Sequence, residues 1–202
     1  DRQGVVRGTS MDRLNARSFV QTKALNNRLE LAFSVNASVR NSSTGPTGGN
    51  GQSVLDAMYY YSPLVPVKNA DGSWYGNTQI SQNYNDTKEK LLQGTAQATL
   101  HIIDGLDWNL NLSYQNQQYI YSNYNSSKTE LPSVASRNGQ ADRSTLENTR
   151  KQMETYLNWN HTFADTHKVG VMLGYSWEQA DNNDGFGLKV YNFYNDDLTY
   201  HN

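Results

Sequence analysis

The chain has 202 residues, a hydrophobic fraction of 36%, a mean hydropathy of −0.79 and no cysteine. No stretch approaches the roughly 18 apolar residues of a transmembrane helix, so a helical membrane protein is excluded. The lack of cysteine excludes disulfide scaffolds and thiolate chemistry. The formal net charge of −2, with no basic stripe, argues against nucleic acid as a partner.

The first part of the chain alternates between apolar and polar residues. This period of two predicts strands over residues 11–23 and 28–41, joined by a short turn at 24–27. Gly- and Pro-rich sequence after residue 41 predicts a long loop over about 42–87, with a short helix over 54–61. A third strand is predicted over 92–102.

The middle of the chain has the clearest alternation. Asp104-Gly105 predicts a tight hairpin turn. It leads into a strand from Leu106 to about Tyr121, in which even positions up to Tyr114 are apolar or aromatic and odd positions are Asp, Asn or Ser. A second long loop is predicted over about 122–144.

The last part predicts a fifth strand over about 146–163, a turn at 164–166 and a sixth strand over 169–177. The Asn- and Asp-rich remainder predicts a third loop over 180–202, with a short strand at 188–193. Short turns therefore alternate with long polar loops, which is typical of outer-membrane β-barrels. The predicted fold is all-β, an antiparallel up-and-down transmembrane β-barrel segment of about six strands.

Alternation also assigns side chains to two faces of the sheet. The polar face is predicted to line a hydrated lumen and includes Asn109, Asn111, Ser113, Gln115, Asn158 and Asn160. The apolar face is predicted to contact lipid or to form aromatic girdles, and includes Trp108, Leu110, Leu112, Tyr114, Leu157, Trp159, Leu173, Tyr175 and Trp177. The alternative for these aromatics is packing inside a soluble sandwich.

The first long loop is rich in aromatic residues, which are able to stack on sugar rings or to pack within the loop itself. The candidate ligand-binding residues are Tyr59, Tyr60, Tyr61, Trp74 and Tyr75. The sequence lacks a nucleophile elbow, a phosphate-binding Gly-rich loop and a His-Glu-x-x-His helix, so no enzymatic activity is expected.

No cofactor and no metal are expected either. His161 and His167 flank one turn and could approach each other, but solvated or interfacial histidines are the favoured interpretation. The acidic residues Asp181, Asp184, Asp196 and Asp197 could bind a hard cation, yet a solvated loop is favoured.

Four segments, in this order along the chain, resemble SusC-like TonB-dependent transporters. They are Asp1-Arg2-Gln3-Gly4-Val5-Val6-Arg7-Gly8 followed by Arg13-Leu14-Asn15-Ala16-Arg17, then Ser62-Pro63-Leu64-Val65-Pro66-Val67-Lys68-Asn69 running into Asp71-Gly72-Ser73-Trp74-Tyr75, then Asp104-Gly105-Leu106 entering a Leu-x-Leu-x-Tyr strand, and finally Leu157-Asn158-Trp159 through His167-Lys168-Val169 to Gly174-Tyr175. Where the family usually has an Asn-Pro-containing stretch, this chain passes from Asn85 to Asp86 and Thr87, which predicts a shortened loop.

The resemblance implies that residues 1–202 belong to the barrel domain of a TonB-dependent receptor, without its plug domain. It implies a barrel of roughly 22 strands in the outer membrane of a Gram-negative bacterium, driven through the plug by the TonB complex. The implied cargo is a large nutrient, an oligosaccharide or a peptide, captured together with a SusD-like surface lipoprotein.

Two other classes of protein stay open at this point. One is a passive porin or an adhesin barrel, and the other is a secreted all-β glycan-binding module or glycan-degrading enzyme. The polar start at Asp1, with no initiating Met or signal peptide, is expected of a mature chain or of an internal fragment.

Overall fold

The computed structural model describes most of the chain. The described residues are 2–4, 8–45, 59, 62–64, 66, 68–72, 83–127, 136–164 and 166–201. The predicted helix over 54–61 falls outside the described residues, apart from Tyr59.

The described residues form strands almost throughout. The strands are β1 Arg2–Gln3, β2 Thr9–Ala24, β3 Leu29–Thr44, β4 Asn83–Ile103, β5 Leu106–Asn125, β6 Gln140–Phe163, β7 His167–Asp184 and β8 Gly187–Tyr191, followed by a 3₁₀ turn at Thr199–His201. Among the described residues, no helix is long and apolar enough to cross a membrane.

All eight strands belong to one antiparallel sheet. Strands β1 to β7 are hydrogen-bonded in chain order, and β8 pairs with β6. Strands β1 to β7 thus each lie beside their neighbours in sequence, which confirms the predicted all-β, up-and-down antiparallel fold.

Three tight hairpins join β2 to β3, β4 to β5 and β6 to β7. In the first, Leu25, Asn26 and Asn27 all have positive φ angles, between 53° and 67°. In the second, Gly105 has φ 78°, as expected for the Asp104-Gly105 turn. The turns were therefore predicted correctly from local chemistry.

At the ends that lie away from these hairpins, the strands extend further than the apolar–polar alternation predicts. β3 extends to Thr44 and β4 begins at Asn83. β5 extends to Asn125, and β6 begins at Gln140. β7 extends to Asp184, into the range predicted as the third loop. The loops predicted over 42–87, 122–144 and 180–202 are correspondingly shorter. Asn85 and Asp86 are paired within β4, so the first loop ends before them.

β7 and β8 are two parts of one long strand along β6. A bulge places one additional residue in β7, because Thr149 pairs with Asp181 whereas Glu147 pairs with Asp184. Asn183 has φ 63° within this bulge. The additional residue reverses the alternation, so that Leu188 and Val190 follow on the same face as the apolar residues of β7.

The small buried core lies where the chain after β8 folds back over the sheet. We call residues 192–201 the clasp. Phe193 packs against Tyr124 with ring centroids 5.6 Å apart, and both side chains are buried, as is Ala141. The Phe193 amide donates a 2.9 Å hydrogen bond to the carbonyl of Asn138.

Asp196 anchors the clasp to the end of β5. Its carboxylate accepts hydrogen bonds from the Ser127 amide at 2.8 Å, the Ser127 hydroxyl at 2.8 Å, the Ser126 hydroxyl at 3.0 Å and the Tyr124 hydroxyl. Partial burial opposes the charge, but these hydrogen bonds outweigh it and lower the pKa of Asp196 to about 2. Burial and the donated bond to Asp196 raise the pKa of Tyr124.

A second contact ties the clasp to β4. The Tyr200 hydroxyl donates a 2.7 Å hydrogen bond to Asp86 Oδ2. Burial, followed by this hydrogen bond, raises the pKa of Tyr200 to about 12. The clasp thus bridges the ends of three neighbouring strands.

Candidate functional site: the two faces of the sheet

The register places the predicted face residues on two separate sides of the sheet, because directly paired residues point to the same side. Leu110 pairs with Thr155, which pairs with Tyr175, and Leu112 pairs with Met153, which pairs with Trp177. All nine predicted apolar-face residues lie on this side, which we call the apolar face. The six predicted lumen residues all lie on the other side, the polar face. That these faces meet lipid and water stays a prediction.

The apolar face is a band of limited height. On β3 it runs from Leu29 to Val39, and on β5 from Leu106 to Tyr114. Beyond these limits, on the side away from the hairpins, the continuous apolar series ends. Leu92 and Leu112 lie on central strands of the sheet, yet they are 47% and 41% exposed. The band therefore requires an apolar partner that the described chain does not supply.

Both edges of the band shift in step across the sheet. At the edge away from the hairpins, the last apolar residues of the first hairpin are Leu14 and Val39, and the pairing across the sheet aligns them with Glu147 of β6. The last apolar residue of β6 itself is Met153, which lies six residues from Glu147. At the hairpin edge, the pairing across the sheet aligns Ala24 and Leu29 of the first hairpin with Leu157 of β6. The strands of the third hairpin end at Phe163, which is again six residues away. The band thus extends over eight to ten residue steps along each strand, and its position along the strands shifts across the sheet.

The tilt of the strands relative to the axis across the band follows from this shift. Six residues at about 3.3 Å each, over four strand spacings of about 4.8 Å, correspond to a tilt of about 45°. Ten residue steps along a strand then project to about 23 Å. Both values match transmembrane β-barrels, in which strands tilt by about 35–45° and the apolar band is about 25 Å tall.

Two polar side chains in the middle of the band are linked by hydrogen bonds. The Trp108 indole donates a 2.8 Å hydrogen bond to the hydroxyl of Thr155, which itself donates a 3.1 Å bond to the backbone carbonyl of Asn109. These two bonds explain a threonine in the middle of an apolar face, since an unpaired polar group in hydrocarbon would cost several kcal/mol.

Aromatic side chains mark both edges of the band. Tyr114 and Trp177 lie at the edge away from the hairpins. At the hairpin edge, His161 stacks on Trp159 with centroids 5.8 Å apart and meets Phe163 edge-on at 4.5 Å. His161 is thus part of an aromatic ladder, and no group of three or more potential metal ligands lies within the described residues.

Opposite the apolar band, short side chains on the polar face form hydrogen bonds between neighbouring strands. Ser34 and Thr95 hydroxyls lie 2.6 Å apart, and the Thr99 hydroxyl donates a 2.9 Å bond to Asn109 Oδ1. His101 Nδ1 lies 2.6 Å from Asp107 Oδ1 at the hairpin end. The pattern suits a wall in contact with water, because each polar group has either a neighbour or open space.

Further from the hairpins, the polar face carries a group that was not singled out from the sequence. The rings of Tyr119 and Tyr121 lie parallel, 5.7 Å apart with planes 7° from each other. Beside them, Glu89 pairs with Arg40 at 2.5 Å and accepts a 2.6 Å hydrogen bond from Gln117. Continuing the odd-position alternation from Asn109 through Gln115 would have found both tyrosines, since they stay in phase.

Among the candidate ligand-binding residues of the first long loop, the structure describes Tyr59 alone. Tyr59 is 83% exposed. Tyr60, Tyr61, Trp74 and Tyr75 lie outside the described residues. Their role stays a prediction.

The height of the apolar band and the tilt of the strands match the wall of a transmembrane β-barrel, which is the class of protein that this sheet fits. No family model matches the chain. A curated relative, the TonB-dependent receptor P3 of Formosa agariphila (strain DSM 15362 / KCTC 12365 / LMG 23005 / KMM 3901 / M-2Alg 35-1), is 22% identical over 169 residues. The match covers 79% of this chain and only 16% of the relative. The similarity supports the TonB-dependent receptor family, and the all-β sheet is consistent with an outer-membrane barrel.

Proposed function

We propose that this chain forms part of the barrel wall of a TonB-dependent transporter that imports a large nutrient across the outer membrane. The observation that carries the proposal is the apolar band, whose two edges shift by the same six residues across the sheet. A soluble sandwich has no reason to keep an exposed band at constant height across inclined strands, whereas a bilayer imposes that height.

The complete barrel would require strands beyond this chain. β7 pairs with β6 along one side, and all of its residues are exposed. An exposed strand edge at membrane depth needs a hydrogen-bonded neighbour, since lipid supplies none. In the proposed protein, a barrel of roughly 22 strands surrounds a plug domain, and the plug contacts TonB.

We propose a glycan as the cargo and a SusC-like transporter working with a SusD-like lipoprotein as the specific type. The support for the transporter type is the order of the four family-like segments, including residues 62–75 of the first long loop. The support for a glycan is the polar face, where Tyr119 and Tyr121 present parallel rings beside the charged pair Arg40 and Glu89. Aromatic faces stack on sugar rings, and neighbouring polar groups bond their hydroxyls. A peptide is the alternative cargo, and we assign no catalytic role.

TonB dependence tests the transport proposal. The full-length protein is expressed in its host with and without functional TonB, and uptake of a labelled oligosaccharide panel is measured. Uptake that requires TonB and the full-length protein supports active import. Uptake that persists without TonB would identify a passive porin instead.

The cargo proposal is tested by a double substitution on the polar face. Tyr119→Ala with Tyr121→Ala is expected to weaken binding of the transported oligosaccharide about tenfold or more, because each lost stacking contact costs about 1 kcal/mol. Tyr175→Ala on the apolar face is the matched control and is expected to leave binding unchanged. Equal affinity in the double variant and the native protein would contradict the assignment of this face to cargo.

A further inference from the structure

The polar face of strands β2 to β4 carries more basic than acidic residues. Its basic residues are Arg13, Arg17, Lys23 and Arg40, and its acidic residues are Glu30 and Glu89. With its one histidine neutral, this part of the polar face has a net charge of +2. Lys23 pairs with Glu30 beside the first hairpin, and Arg40 pairs with Glu89. The excess positive charge therefore belongs to Arg13 and Arg17 of β2.

Arg13 and Arg17 have no carboxylate partner among the described residues. Arg13 Nε donates a 2.9 Å hydrogen bond to Asn15 Oδ1, and no described residue accepts a bond from its two Nη groups. Within the described part of the chain, Arg17 takes part in no ion pair. Both arginine side chains are exposed. Two guanidinium groups are thus open to solvent on the polar face.

The neighbouring carboxylates do not neutralise this excess charge. Both oxygens of Glu89 are engaged, because Oε2 pairs with Arg40 at 2.5 Å and Oε1 accepts a 2.6 Å hydrogen bond from Gln117. Asp12 and Asp86 point to the opposite side of the sheet, since they alternate with the residues of the polar face. The remaining strand carboxylates of the polar face lie on β5 to β7, at least three strand spacings from β2, or about 14 Å.

One row of directly paired residues joins the arginines to the parallel tyrosine rings. Arg13 pairs with Arg40, Arg40 pairs with Glu89, and Glu89 pairs with Tyr119. Arg13 and Tyr119 are therefore three strand spacings apart, about 14 Å. Arg17 lies four residues from Arg13 along β2, on the same face and nearer the hairpins. Directly opposed like charges repel each other, so an anion bound between Arg13 and Arg40 would relieve the repulsion that their pairing creates.

We propose that Arg13 and Arg17, beside Arg40, bind acidic groups of the cargo, which makes the cargo an acidic glycan with carboxylate or sulfate groups on its sugars. This site rests on the proposed import of a glycan and narrows the chemical class of that glycan. A guanidinium group donates two parallel hydrogen bonds to an oxyanion, which suits a carboxylate or a sulfate. The parallel rings of Tyr119 and Tyr121 stack on sugar rings, so a glycan is favoured over an acidic peptide.

The test is a calorimetric titration of the full-length protein, purified in detergent, with matched acidic and neutral oligosaccharides. One pair is an oligogalacturonate and its methyl ester, and the other is a sulfated galactan oligosaccharide and its desulfated form. The acidic member of at least one pair is expected to bind about tenfold more tightly than its neutral form, or better. Its binding is also expected to weaken as the salt concentration rises. The pair that responds distinguishes a carboxylate from a sulfate.

Charge-matched variants assign this binding to the arginines. Arg13→Gln with Arg17→Gln removes the excess charge and keeps the ion pair of Arg40. This double variant is expected to bind the acidic oligosaccharide about tenfold more weakly and to bind the neutral form as before. Lys88→Gln with Lys90→Gln is the control, since it removes two positive charges from the opposite face of β4. The control is expected to bind both forms like the native protein.

Three kinds of result would overturn the proposal. The first is equal binding of the acidic oligosaccharide to the native protein and the double variant, or an equal loss in the lysine control. The second is a titration in which the neutral forms bind as tightly as the acidic ones, or in which no form binds. The third is binding of polyglutamate as tight as that of the best glycan and lost in the double variant, since that result indicates a peptide site.

Failure of the arginine site and failure of the proposed import give different results. TonB-dependent uptake of a neutral oligosaccharide that is unchanged in the double variant contradicts only the acidic class of cargo. A lack of TonB-dependent uptake for every oligosaccharide contradicts the proposed import itself. Heat-modifiable migration on a gel reports whether each variant forms a barrel. If the double variant does not fold, Arg17→Gln alone is compared with Lys90→Gln.

Discussion

The hairpin half of the sheet and its long-loop half are built from the same strands but follow different rules. Near the hairpins, one face is apolar over eight to ten residue steps and the other is polar. Beyond Tyr114 on β5, Asn116 and Gln118 interrupt the apolar series, and the contrast between the two faces is lost. The hairpin half depends on a surrounding apolar phase for its stability, whereas the long-loop half carries its own small core under the clasp. One strand therefore changes its stabilising interactions partway along its length.

The sharpest way to break this comparison is a charge in the middle of the band. Leu110 lies midway between Leu106 and Tyr114 on the apolar face, and Asn111 is its neighbour on the polar face. Leu110→Arg is expected to lower the free energy of unfolding by about 2 to 4 kcal/mol, and Asn111→Arg by less than about 1 kcal/mol. Denaturant unfolding of the full-length protein in lipid vesicles measures both. Equal losses would mean that the two faces do not differ in environment.

A second substitution probes the hairpins that close the banded half. A Cβ atom at Gly105 would lie 2.1 Å from the backbone oxygen of Asn160, and its φ of +78° disfavours other residues. Gly105→Ala is expected to cost about 2 to 3 kcal/mol. Gly94→Ala is the control, since a Cβ there meets nothing within 4 Å. The same unfolding assay applies, and a neutral Gly105→Ala would show that the turn lies further from β6.

The long-loop half is tested at the clasp. Asp196→Asn keeps the shape of the side chain but loses the charge that accepts bonds from Ser126, Ser127 and Tyr124. The local cost is expected to be about 1 to 2 kcal/mol. Hydrogen exchange of the Ser127 amide reports it directly, with Asp197→Asn as the control. Unfolding in the banded half is expected to stay unchanged, and a loss there would show that the two halves are coupled.

Acid gives the smallest and most local effect. The pKa of Asp196 is lowered from 3.8 to about 2, so its stabilising contribution is complete above about pH 4 and is lost as the pH falls towards 2. Protection of the Ser127 amide, corrected for intrinsic exchange, is expected to fall in that window by about 1 kcal/mol. The Asp196→Asn variant should show no such step. A step that survives in this variant would assign the titration to another carboxyl group.

Sequence reasoning succeeded where one face had to be apolar. Alternation around Leu110 and Leu112 fixed strand type, phase and face, because a register slip of one residue would bury polar groups in the apolar layer. The Asp104-Gly105 turn was equally readable, since its conformation depends on residues adjacent in sequence. The family-like segments extended the prediction to the barrel class, which the relative supports.

The rest could not be read from local patterns. Past Tyr114 the apolar series of β5 is interrupted by Asn116 and Gln118, so a period of two gives little contrast and the strand ends were placed too early. The clasp depends on Asp196 meeting Ser126 and Ser127, about 70 positions earlier in the chain. Such a contact between polar residues of irregular segments carries no periodic signal. The bulge at Asn183 was hidden for the same reason.

The fixed height of the apolar band has a consequence for the choice of membrane. At about 23 Å it is shorter than the roughly 30 Å hydrocarbon layer of an average bilayer, and the bacterial outer membrane is thinner than that average. Inserted among long acyl chains, the protein would have to compress the surrounding lipid, at a cost of a fraction of a kcal/mol for each ångström of mismatch. Reconstitution should therefore be most efficient in short-chain lipids, and mismatch alone favours retention in the thinner membrane.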